Sequence, residues 1–108
     1  MTTQDKIRKV GQEIIDLLIE KNESYGDSAL VPANIFASGD AVANLTSRID
    51  DKLMRVKTQG INGFGEDNVK DLIGYLILLK IALDDKSNVD WKEQILEKEG
   101  FYETNTKR

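Results

Sequence analysis

Apolar residues recur at three- and four-residue steps over three long stretches of the chain, and glycine-rich breaks separate them. In the first, Ile7, Val10, Ile14, Leu17 and Leu18 form one face of an amphipathic helix over about residues 5–24. Gly26 stands where a helix stop is expected. Residues 27–39 hold the single proline, Pro32, and show no clean period, which predicts a loop or short helical turns. The second stretch, about 40–57, places Val42, Leu45, Ile49, Leu53 and Val56 on one face. Three glycines in six residues, Gly60 to Gly65, then predict a turn. A third helix is expected over about 66–84, apolar nearly all round from Leu72 to Leu83 and therefore buried on several sides. Asp84 to Asn88 is a polar break. A short helix over about 90–99 follows, where Asp90 and Glu93 have capping-box spacing and Gly100 is the stop. No stretch alternates like a strand. The pattern predicts a single all-α domain over residues 1–108, a small helical bundle with Leu72–Leu83 at its centre.

Composition narrows the chemistry more than the fold. The 108 residues include no His and no Cys. Thiolate zinc sites, iron–sulfur clusters and cysteine or Ser-His-Asp nucleophiles are thereby excluded, and haem is not expected. A metal, if one binds, would be a hard ion such as Mg²⁺ on oxygen ligands. The net charge of −4 disfavours a duplex-DNA binder held by phosphate contacts. The longest apolar run, Leu76 to Leu79, is far too short to span a membrane, and Met1 to Lys6 lacks signal-peptide order. A cytoplasmic location is the expectation.

On a helical wheel, Lys21, Asn22 and Tyr25 fall on or beside the apolar stripe of the first helix, whereas Glu20 and Glu23 point to its polar side. A lysine stem lying along apolar surface and an asparagine serving a helix end would account for the first two without any ligand. Gly26, Asp27 and Ser28 add a turn with backbone donors compatible with phosphate. In the second helix Arg48, Asp51, Lys52 and Arg55 share one edge. They are either a solvated, salt-bridged face or a basic rail for phosphates, with Asp51 steering a cation or joining a metal site. In the third helix Asp67 and Asp71 lie one turn apart, with Gly74 and Tyr75 continuing the face. Asp71 sits where the helix turns apolar and so needs a partner. That partner is either a cation (Lys52, Arg48 or Lys21) or a Mg²⁺ held together with Glu66 and Asp67.

Three ordered blocks carry a family resemblance. Lys21-Asn22-Glu23-Ser24-Tyr25-Gly26-Asp27-Ser28 resembles the K-N-x-x-Y-G-[DN]-S signature of the nucleotide modification associated domain 1 family (DUF1599). Arg48-Ile49-Asp50-Asp51-Lys52-Leu53-Met54-Arg55 resembles that family's R-x-x-D-K-x-x-R block, and Glu66 to Tyr75 resembles its acidic closing helix. The family occurs in phages and bacteria, and the resemblance implies a role in nucleotide or DNA-base modification. The chain is also loosely similar to all-α, MazG-like nucleotide pyrophosphohydrolases, which bind Mg²⁺ through E-x-x-E and E-x-x-D motifs. Glu20-Lys21-Asn22-Glu23 fits the first motif, but in Asn68-Val69-Lys70-Asp71 an Asn stands where the second motif has its Glu.

Together these features point to a phage- or prophage-type nucleotide-binding protein, in the host cytoplasm if phage-encoded. Its expected phosphate and nucleotide contacts are Lys21, Asn22, Tyr25, Gly26, Asp27, Ser28, Arg48, Lys52, Arg55 and Tyr75. Asp67 and Asp71, with Asp51 and Glu66, are the candidate Mg²⁺ ligands. Two alternatives stand beside this reading: a Mg²⁺-dependent pyrophosphohydrolase, and a non-enzymatic scaffold whose blocks are salt bridges. A nearly all-round apolar helix in so short a chain also calls for cover, so a homo-oligomer, most simply a dimer, is expected.

Overall fold

The computed structural model describes residues 1–35 and 38–87, and within them the fold is all-α with no strand. Helix α1 spans Thr3–Tyr25, α2 spans Ala41–Gln59 and α3 spans Asn68–Lys86; a short 3₁₀ turn, Gly63–Gly65, lies between the last two. The short helix expected over 90–99 lies outside the described residues. Among the described residues, no helix is long and apolar enough to cross a membrane.

Each helix begins at a side-chain cap, and the caps account for the shifts from the expected boundaries. Thr2 Oγ1 accepts from the Asp5 amide at 3.1 Å while Asp5 Oδ2 accepts from the Thr2 amide at 2.9 Å. This capping box starts α1 two residues before the periodic pattern becomes visible. Asp40 caps α2 through the Ala43 amide at 2.8 Å. Asp67 caps α3 through the Lys70 amide at 3.0 Å, so Glu66 stays outside the helix, whereas the periodicity placed it inside.

Helices α2 and α3 form an antiparallel hairpin. Lys86 near the end of α3 reaches Asp40 at the start of α2, and Lys52 in the middle of α2 reaches Asp71 in the first turn of α3. The connection is latched by Asn68, which is fully buried and donates from Nδ2 to the carbonyls of Ile61 (2.8 Å) and Gly63 (3.3 Å). Gly63 is obligatory there, because a Cβ would stand 2.4 Å from Gln59 Cβ. Beside it Phe64 holds a left-handed conformation (φ 63°, ψ 17°) with its ring exposed.

Helix α1 meets α3 at a close approach. A Cβ on Gly74 would lie 3.2 Å from Leu18 Cδ2, so the absent side chain is what lets the helices come together. The buried apolar side chains among the described residues are Ile14, Leu45 and Ala82. The expectation that Leu72–Leu83 is covered on several sides holds only in part. Gly74 and Ala82 are buried, but Leu76 and Leu83 are about half exposed, as is Val69 one turn before. The reason is that α2 and α1 pack on the other faces of α3 and leave this one without a neighbour among the described residues.

Candidate functional site

One cleft of about 310 Å³ opens between the three helices. Helix α1 lines it with Ile14, Leu17, Leu18, Lys21, Asn22 and Tyr25, spaced so that all share one face, and the turn after α1 adds Gly26, Ser28 and Ala29. Helix α3 contributes Lys70, Asp71, Gly74, Tyr75 and Leu78, and α2 contributes Arg48. The apolar floor is therefore the same stripe that packs α1, and the polar groups sit where that stripe ends.

Eight of the residues singled out from the sequence thus meet in one place: Lys21, Asn22, Tyr25, Gly26, Ser28, Arg48, Asp71 and Tyr75. Asn22 also serves the turn itself. Its Nδ2 donates to Asp27 Oδ1 at 3.0 Å and, more weakly, to the Gly26 carbonyl at 3.4 Å. Asp27 is held in that contact and does not line the cleft. Gly26 has φ 72°, the left-handed backbone that ends the helix and aims the chain toward Ser28.

Lys52 and Arg55 lie elsewhere. Lys52 is buried and its Nζ donates to Glu66 Oε2 and, at 3.0 Å, to Asp71 Oδ2. Arg55 Nη1 donates to Glu66 Oε1 at 2.9 Å. Two cations and two carboxylates form a closed, electrically neutral quartet behind the cleft. The hydrogen bond to Glu66 raises the Lys52 ammonium above its ordinary pKa, with burial pulling the other way and Asp71 adding to the rise. The same bond holds the Glu66 carboxyl below the usual range. Of the two readings of the second-helix edge, the salt-bridged one describes Lys52 and Arg55, whereas Arg48 alone faces the cleft.

The candidate Mg²⁺ ligands are dispersed among other tasks. Asp67 caps α3, Glu66 and Asp71 are in the quartet, and Asp51 is exposed on α2. Among the described residues no group of three or more His, Cys, Asp or Glu stands together in a way that could hold a metal ion. Among the described residues, Asp71 is the one carboxylate lining the cleft.

The electrostatic balance of the cleft follows from these pairings. Among the described residues, Lys21, Arg48 and Lys70 have no carboxylate within ion-pair distance. Because Asp71 is offset by Lys52, the cleft carries three surplus cations on a chain whose net charge is −4. Lys70 was not singled out from its sequence position, although it stands three residues after Asp67, at the edge of the Asp67–Asp71–Gly74 face. Its spacing of four before Gly74 is the signal that could have found it. Family models, curated proteins and solved structures give no match to this chain.

Proposed function

We propose that the cleft binds a nucleotide or nucleotide-like phosphate, and that the protein is of the phage or prophage type associated with nucleotide or DNA-base modification. The observation that carries this reading is the gathering of Lys21, Arg48 and Lys70 from three different helices around one cleft that also has two tyrosines on its wall. Guanidinium and ammonium groups without carboxylate partners suit phosphate oxygens. Tyr25, largely exposed at the rim, and Tyr75 offer faces and hydroxyls to a base or sugar. The motif blocks that resemble the nucleotide modification associated family supply many of these same residues.

Binding without turnover is the simplest form of the proposal. Among the described residues the lining includes no nucleophile with an adjacent base, and its single carboxylate would leave any Mg²⁺ to arrive with the ligand's own phosphates. Calorimetry against nucleoside mono-, di- and triphosphates and cyclic dinucleotides, with and without Mg²⁺, is the direct test. Binding is expected, and it should weaken at least tenfold in Lys21→Met and Arg48→Met. No heat with any nucleotide would end this reading, and Mg²⁺-dependent release of pyrophosphate would replace it with the hydrolase.

We also propose that the chain works as a homodimer. Val69, Leu72, Leu76, Leu79 and Leu83 follow the three-four spacing of a coiled-coil seam along the length of α3, and Val69, Leu76 and Leu83 are about half exposed. The same seam on a second copy is a matching cover for it.

A further inference from the structure

Asp71 is out of place in an anion site. A carboxylate lining a phosphate cleft repels its ligand unless something offsets the charge, and here Lys52 does so from behind. Lys52 is 6% exposed, its ammonium lies 3.0 Å from Asp71 Oδ2, and Glu66 and Arg55 complete the neutral quartet. The other carboxylate oxygen, Oδ1, has no hydrogen-bond partner among the described residues, although the side chain is only 30% exposed and lines the cleft. What the quartet presents to the cleft is therefore a strong acceptor with little net charge. Such a group accepts N–H or O–H from a ligand whose phosphate is held by Lys21 and Arg48.

We infer that Asp71 is the specificity-determining residue of the cleft, and that the ligand is a nucleoside monophosphate whose base carries an exocyclic amino group: adenine, cytosine or guanine. This rests on the nucleotide reading of the same cleft. Thymine and uracil offer a single ring N–H flanked by carbonyl oxygens, so their edges would set at least one lone pair against the carboxylate. An amino group turns a donor toward it. A site built around a hydrogen bond rejects ligands that lack the matching group far more strongly than an apolar wall does. The volume limits the ligand as well. About 310 Å³ is at the low end of small-molecule sites, which suits one nucleotide unit rather than two. The pairing of Asp71 and its neighbour Glu66 with the Lys52 ammonium, and the lack among the described residues of any group of three or more side chains able to hold a metal ion, favour this role over a metal ligand.

Calorimetry on the full chain would use the 5′-monophosphates of deoxyadenosine, deoxycytidine, deoxyguanosine, thymidine and uridine, with inorganic phosphate and a cyclic dinucleotide as further probes, each in Mg²⁺ and in EDTA. At least one amino-bearing monophosphate is expected to bind tenfold or more tighter than the thymidine and uridine ones, in EDTA as in Mg²⁺. In Asp71→Asn the amide carbonyl turns to Lys52 and the NH₂ faces the cleft, so the preference should invert toward thymine or uracil. Loss of a structural contact would weaken all ligands alike. Equal affinity for all five bases, tighter binding of the cyclic dinucleotide, or a preference that disappears in EDTA would overturn the inference and leave the nucleotide site standing. Failure of every nucleotide to bind would remove both. The wild-type panel decides the matter even if Asp71→Asn does not fold.

Discussion

The ammonium of Lys52 lies 3.0 Å from the carboxylate of Asp71, so a buried cation of α2 holds in place the one acid that α3 presents to the cleft. Removing Lys52 would leave Asp71 and Glu66 facing each other with only Arg55 between them and the solvent. Lys52→Met is expected to lower stability by about 1–3 kcal/mol, the range for breaking such a network. Thermal unfolding should show this as a fall in Tm, and Glu66→Gln should cost less because Asp71 still answers Lys52.

The same network sets the pH dependence. Glu66 has its carboxyl held below the ordinary value of 4.5, chiefly by Lys52, and the helix caps Asp5 and Asp40 lie below 3.8 through the amides they accept from. Groups depressed in this way stabilise the fold above their unfolded values, and the contribution is lost as pH falls through the folded ones. Lys52 is shifted upward from 10.5, so its contribution is complete below that value and is lost as pH rises through the raised one. Chemical denaturation across pH should give a plateau between about 5 and 10 with a fall on either side. Lys52→Met should flatten the alkaline fall.

The approach of α1 to α3 at Gly74 makes a steric prediction. A Cβ there sits 3.2 Å from Leu18 Cδ2, and the two methyls of valine would press further into α1. Gly74→Val is expected to cost about 1–3 kcal/mol and to weaken ligand binding by shifting the wall that carries Lys21. Leu18→Ala in the same chain should recover part of both losses, which a double-mutant cycle on Tm and affinity would read.

Phe64 makes the reverse prediction. Its left-handed backbone at φ 63° suits asparagine, and its exposed ring has little packing to lose. Phe64→Asn is expected to stabilise the chain by about 1 kcal/mol, the scale of the left-handed penalty for residues other than glycine and asparagine. Denaturant melts at matched slope would show a higher midpoint.

For the proposed dimer, Leu76 is the informative position because it is the middle residue of the α3 seam and is half exposed. Sedimentation should find the wild-type chain as a dimer and Leu76→Glu as a monomer. A monomeric wild type at micromolar concentration would remove the dimer without touching the cleft.

The helices were legible in the sequence because their apolar spacing and glycine stops are local. The cleft face of α1 was legible for the same reason: Lys21, Asn22 and Tyr25 follow Ile14 and Leu18 on one stripe. The fate of Lys52 and Arg55 was not. Their spacing with Arg48 is the same whether they face a ligand or an acid, and only the return of the chain through Gly60–Gly65 brings Glu66 against them. Nor does any local pattern show that Asn68 turns back to the carbonyls of Ile61 and Gly63. That latch depends on a turn whose shape is set by the three glycines and Phe64.

The cleft has a mechanical side too. Its walls belong to α1 on one hand and to the α2–α3 hairpin on the other, and α1 comes up against that hairpin where Leu18 meets Gly74. An anion bridging Lys21 to Arg48 would act as a rivet between them, adding a tie across the cleft. Occupancy and the seating of α1 are then one equilibrium: saturating ligand at a hundred times its Kd should stabilise the fold by about 2.7 kcal/mol. The amides of α1 should register that gain in hydrogen exchange before those of the hairpin do.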